Sequence, residues 1–469
     1  MSSIPTAATQ NLPARNAHRR YGRVLRLITL GCILSSPVWL WALLFSADQD
    51  SYAPSLIFVP LIILGCGVAF MPLWRGNPYL KELLTAGILA RLSAASLYIW
   101  MGVFVYAYSV DGFHYWWVGM QRAEKFWVLG WSVFQPPFWS TNLINNVCGF
   151  IMLAIGNTMP GLFVLFALAA LWGGYFFYRA FCIAFPAGDA ALYGILALLL
   201  PSSLFWASAI GKDALAQLFI GLTAFGFAKV CRSVEAGSIL ICGAGLAGVV
   251  AIRPHIAAML AVAVTLPFAL GRTGRGWKNL VGKVLLVPLL IAVSLLIISQ
   301  AKEFVGVEDT DSQGTLERAD RLTRSTQMGG SVFNSDQPLP VRLAESPFLM
   351  FRPFPWEVHN GMAAVACLEA FGLLWFAWRR RGVLAAALRS WRQPFVGFVL
   401  VYSTIFSLAF AATTSNFGIL VRERIMMVPL VLMLLCSRLT GVYVQRSVPR
   451  QSFAVSGIRP ITFKEEARS

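Results

Sequence analysis

Apolar runs of about 17 to 25 residues recur from one end of this chain to the other, and they constrain its fold more than any other feature. A helix rises about 1.5 Å per residue, so each run is long enough to cover the ~30 Å hydrocarbon core of a bilayer. In lipid every backbone donor and acceptor must be satisfied within the protein, which leaves helices or a closed barrel. The runs lack the in–out alternation of barrel strands. The chain is therefore predicted to be all-α, a polytopic membrane protein. A composition of 57% hydrophobic and 13% charged residues agrees with that, as does a mean hydropathy of +0.67.

The formal net charge is +17. Most of the Lys and Arg residues fall in short loops and tails, where positive charge orients spans toward the cytoplasm. No basic soluble domain stands apart from the apolar runs, which argues against nucleic acid as a partner. The eight cysteines show no CxxC or Cys/His ligand spacing, so neither structural disulfides nor zinc is expected. Arg15, Arg19, Arg20, Arg23 and Arg26 precede a full-length apolar run and read as an orienting tail rather than a cleavable signal.

Threading the chain by the charge rule predicts about twelve transmembrane helices with both termini cytoplasmic. The expected organisation is a basic tail over 1–26, a transmembrane domain over 27–441 and a second cytoplasmic tail over 442–469. Two polar segments, about 109–157 and 301–357, lie outside by this threading. The first runs from Asp111-Gly112-Phe113-His114-Tyr115-Trp116-Trp117 into an amphipathic stretch, suited to helices lying in the interface plane. The second holds Glu308-Asp309-Thr310-Asp311, Glu317-Arg318-Ala319-Asp320-Arg321 and a flexible Gly329-Gly330-Ser331.

The same threading gathers the costly charges at span ends on one, non-cytoplasmic face, as expected of a site rather than of scattered anchors. Asp111 emerges directly from a span beside His114; its carboxylate suits a general base or a metal ligand, or else caps the following helix. Lys212 and Asp213 start a span, as a phosphate-binding ammonium with its orienting carboxylate or as a helix-terminus pair. Arg253 and His255 straddle Pro254, and the planar donor fork of Arg253 suits phosphate oxygens. Arg352 and Glu357 fall in the aromatic, Pro-rich Arg352-Pro353-Phe354-Pro355-Trp356-Glu357, as a salt bridge or a substrate groove. Arg422 and Arg424 lie outside against the orientation rule, so an anionic ligand, Glu423 or Asp111 is their expected partner. Glu369, inside an apolar run, is expected to be buried and neutral or paired.

In order along the chain stand an acidic residue after an early span and a long loop with interfacial helices. A Pro-x-x-x-x-Trp-x-x-x-x-x-Lys-Asp stretch, the Arg-Pro-Phe-Pro-Trp-Glu segment and an Asn-x-Gly-x-x-x-Arg-x-Arg element follow. Over about 83–429 this pattern resembles bacterial GT-C-type integral membrane glycosyltransferases and related polysaccharide-biosynthesis proteins. The resemblance implies sugar transfer from a polyprenyl-phosphate-linked donor to a glycan, lipid or protein acceptor, on the outer face of the bacterial inner membrane. It places the catalytic base at Asp111 and the phosphate-holding cations at Lys212, Arg253, Arg422 and Arg424. His114, Asp213, His255, Arg352 and Glu357 complete the expected substrate-binding set. No second acidic residue follows Asp111 directly, which leaves open whether a divalent metal takes part. An O-antigen-type polymerase and a lipid-linked sugar transporter or flippase are the alternatives; against the transporter, no internal repeat is visible.

Overall fold

A computed structural model describes residues 12–46, 52–271, 277–305, 320–326, 332–333 and 337–439. The acidic run at 308–311, Glu317, Arg318, Ala319, Gly329-Gly330-Ser331 and the tail over 442–469 lie outside the described residues. Among those described the chain is helical, with no strand beyond a single antiparallel bridge between Val332 and Asn416.

The first helices are α1 (Leu12–Ser46), α2 (Tyr52–Trp74) and α3 (Pro78–Phe104). Two helices off the main bundle follow, α4 (Asp111–Leu129) and α5 (Ser140–Ile155), then α6 (Met159–Ala184). Next come α7 (Ala190–Leu199), α8 (Pro201–Trp206), α9 (Lys212–Arg232), α10 (Ala236–Ile252), α11 (Pro254–Leu270) and α12 (Trp277–Val305). The chain closes with α13 (Leu339–Ala344), α14 (Gly361–Arg379), α15 (Arg381–Arg389), α16 (Pro394–Thr413), α17 (Phe417–Glu423) and α18 (Val428–Cys436).

Among the described residues eight helices are long and apolar enough to cross a membrane, by length and composition, where about twelve spans are expected. The other four expected spans correspond to α7, α10, α11 and α18, of 10, 17, 17 and 9 residues. The reason is visible in the chain. Pro201 starts α8 after Leu200 and so divides the run expected at about 190–208, while α10 and α11 coincide with the two short runs expected on either side of Pro254. Helix α1 begins at Leu12, within the basic stretch over 1–26. Its Arg20 and Tyr21 reach Asp189 at 3.3 Å, and Arg26 reaches Glu82 at 3.4 Å, at the end of the bundle opposite Asp111.

Helix α9 is the central element, packed between α6 and α10. Lipid tails are as apolar as leucine, so helices in a bilayer associate through close van der Waals contact, and small residues permit it. A Cβ on Gly221 would stand 2.4 Å from the Gly173 carbonyl oxygen, and one on Gly173 would stand 2.4 Å from that of Gln217. On the other side of α9, a Cβ on Gly245 would meet the Thr223 amide nitrogen at 2.5 Å.

One charge lies fully inside this packing. Arg91 of α3 is 0% exposed. Its guanidinium donates to the Ser203 carbonyl at 2.8 Å, to Ser203 Oγ and Gln217 Oε1 at 3.3 Å and to Ser208 Oγ at 3.4 Å. Four acceptors from α8, α9 and the turn between them thus converge on one side chain, which ties α3 to the segment leading into Lys212.

Gly221→Ala is expected to destabilise the protein by about 1–3 kcal/mol, because backbone faces backbone and neither can rotate away. Gly243, whose added Cβ would meet nothing within 4 Å, serves as the control. Thermal unfolding in detergent should show a clear drop for the first variant and none for Gly243→Ala.

Candidate functional site

Where α3 gives way to α4, five side chains form a continuous alternation of charge: Glu423, Arg253, Asp213, Arg422 and Asp111. Arg253 Nη1 donates to both Glu423 oxygens at 2.7 Å, and Nη2 donates to Asp213 Oδ1 at 2.5 Å. Arg422 Nε donates to Asp213 Oδ2 at 2.5 Å, and its Nη1 donates to Asp111 Oδ2 at 2.7 Å. Each bonded pair joins residues at least 40 positions apart, so helix packing assembles them.

Local sequence explains how each is presented. Asp213 occupies the first turn of α9, where a carboxylate suits the positive helix end. Arg253 is the residue before α11, held extended ahead of Pro254 at the first helical position. Asn416 caps α17 by accepting from the Gly418 and Ile419 amides at 2.7 and 3.3 Å, and Arg422 and Glu423 lie in the last turn of that short helix. Asp111 opens α4, and His114, exposed one turn on, shares its face.

Exposure rises along the alternation. The side chains of Asp213, Arg253 and Glu423 are 5–10% exposed, Arg422 is 24% and Asp111 54%. Only the Arg422–Asp111 end can meet a ligand. Asp213 first, then Asp111, outweigh burial and raise the Arg422 guanidinium above its ordinary pKa, so it stays protonated. Three carboxylates against two guanidiniums leave one unit of negative charge. Lys212, half-buried beside Asp213, balances it: it lies within electrostatic reach of Asp111, Asp213, Arg253 and Arg422 and forms no ion pair with a described residue. Half-buried His255 is close enough to feel Arg253 and Lys212.

The structure therefore brings together Asp111, Lys212, Asp213, Arg253, His255 and Arg422, with His114 on the rim. It places Arg352, Glu357 and Arg424 elsewhere. Arg424, 1% exposed, donates to the Arg352 carbonyl at 2.6 Å, the Met350 carbonyl at 3.2 Å and Glu369 Oε1 at 3.0 Å. Glu369 also accepts from the backbone amide and the hydroxyl of Ser202, each at 2.6 Å. Arg352 pairs with Glu345 at 2.9 Å and with Glu357, and its guanidinium covers the rings of Phe333 and Phe417 at 4.4 and 5.4 Å. This corrects the expectation that Arg424 faces an anionic ligand. Its Nη donors go to two backbone carbonyls and one carboxylate, and it anchors the segment before α14 against α17 and α8.

Sequence reasoning passed over Arg91 and gave Glu423 no role beyond pairing with its neighbours. Arg91 carried a signal, a lone cation in the middle of an apolar run. Glu423 gave none, since its partner Arg253 is distant in sequence. Among the described residues no group of three or more His, Cys, Asp or Glu is placed to hold a metal ion, so the metal left open by the sequence has no donor set there.

Arg424→Met leaves Glu369 buried without its cation and is expected to cost about 3–5 kcal/mol of stability. Lys212→Gln breaks no ion pair and should cost below about 1 kcal/mol. Thermal midpoints in detergent check both, and an unchanged midpoint for Arg424→Met would return that residue to the ligand-binding set. No protein family, curated protein or solved structure matches this chain.

Proposed function

We propose that this protein is a GT-C-type membrane glycosyltransferase, moving a sugar from a polyprenyl-phosphate donor to a glycan, lipid or protein acceptor on the extracytoplasmic face of a bacterial inner membrane. One observation carries the reading: the half-exposed Asp111 carboxylate is paired with Arg422, with Lys212 within electrostatic reach, and a buried ionic network backs the pair. A base next to a phosphate-binding pair is what displacement of a sugar from a phosphate requires.

In this reading Lys212 and Arg422 hold the donor phosphate, and Arg253 works from behind by fixing Asp213. Asp111 takes the proton of the acceptor hydroxyl. The hydroxyl oxygen bonds to the anomeric carbon while the bond from that carbon to the phosphate oxygen breaks. The electron pair leaves on the phosphate, and configuration at the anomeric carbon inverts. His114 and His255 flank the two ends of the site.

Helices α4 and α5 support the lipid side of the proposal. Arg122 of α4 binds Asn142 and Asn146 of α5, which makes the two a unit. Trp117, Trp127, Val128, Leu129, Trp131 and Trp139 stand exposed on that unit and its connection. An amphipathic pair with such a face suits the headgroup boundary, where a lipid-borne phosphate arrives.

Asp111→Asn is expected to lower transfer at least about 100-fold in reconstituted vesicles supplied with polyprenyl-phosphate sugar, while insertion and thermal midpoint stay near those of the parent. Transfer at the parent rate would overturn Asp111 as the base.

A further inference from the structure

We infer that Asp111 and the ligand phosphate compete for the same face of Arg422, so that an arriving phosphate itself releases the base. This rests on the proposed reading that the site takes a lipid-linked phosphate, and it adds how the site passes from its empty to its loaded state.

The geometry separates the two ends of Arg422. Its Nε is held by Asp213, which is 5% exposed, accepts from Arg253 as well and lies in the first turn of the central helix. Its Nη1 is held by Asp111, which is 54% exposed and opens α4, just ahead of the buried Gly112 and Phe113 that pack that helix end on the bundle. One contact is built into the core and the other stands at its edge. An anion that needs Arg422 can take the place of Asp111 but not that of Asp213.

Charge points the same way. With Asp111 in place, the three carboxylates are balanced by Arg253, Arg422 and Lys212, and the cluster offers no excess of positive charge. Once Asp111 leaves, Asp213 and Glu423 face three cations and the surplus is positive, as a phosphate requires. The displaced carboxylate has lost its cation and stays within one side chain's reach of the bound phosphate, where an acceptor hydroxyl must lie. Binding and activation of the base are then one event, and Asp111 is kept paired until a donor is present.

The test is binding of a single-chain alkyl phosphate to the purified full-length protein in detergent, by calorimetry, with inorganic phosphate run in parallel. The parent should bind the alkyl phosphate, and Asp111→Asn should bind it about three- to tenfold more tightly, because the competing partly exposed ion pair is gone. Removing a negative charge would help any anion, so a second background is needed. In Arg422→Lys all donors sit on one nitrogen, which stays with buried Asp213 and lacks the second, separate donor nitrogen that Arg422 offers Asp111. There the gain from Asp111→Asn should vanish. An equal gain in both backgrounds, or none in either, would overturn the exchange while leaving the phosphate site standing. Failure of the parent to bind the alkyl phosphate would overturn the phosphate site itself, and tighter binding of inorganic phosphate would overturn its assignment to a lipid.

Discussion

The structure turns on a buried carboxylate, Asp213, shared by two arginines. It starts the central helix, and it accepts Arg253 from the α10–α11 junction and Arg422 from α17. Alone at this depth a carboxylate would be costly, and so would either guanidinium. Together they are affordable only in one arrangement, with α9, α11 and α17 in register. The ionic network therefore works chiefly as a specification of geometry: it says which helix ends must meet.

A second network does similar work nearby. Arg424 joins the backbone at Met350 and Arg352 to Glu369 of α14, and Glu369 in turn holds Ser202 of α8. Arg424 follows Glu423 directly, so adjacent residues of one short segment serve both networks. Arg422 and Glu423 serve the charge alternation that reaches the rim at Asp111, while Arg424 is buried in the frame. Arg91 completes the support from the opposite side, fixing Ser203, Ser208 and Gln217 around the turn that presents Lys212. The outcome is a buried frame with one half-exposed ion pair at its edge, Arg422 to Asp111.

Much of this was legible beforehand, for reasons specific to lipid. An apolar run cannot hide its length, so the helices α1, α2, α3, α6, α9, α12, α14 and α16 were readable as spans. Charges at run ends were equally visible, and Asp111, Lys212, Asp213, Arg253, His255 and Arg422 do converge. The division of one run into α7 and α8 was harder, because hydropathy does not register where a proline such as Pro201 starts a new helix. Arg424 was misjudged because its type and position match those of Arg422; Arg422 lies in the last turn of α17 at the rim, and Arg424, two residues on, starts a 3-10 helix in the core.

Sequence by itself determined the class of fold and the inventory of charges, since the bilayer penalises both exposed backbone and unpaired ions independently of topology. It could not determine which carboxylate pairs with which guanidinium. Those partners lie on helices distant in the chain, and an ion pair forms wherever two ends come within about 3 Å. Only tertiary packing, set by close glycine contacts along α9, decided that Arg422 faces Asp111 and that Arg424 does not.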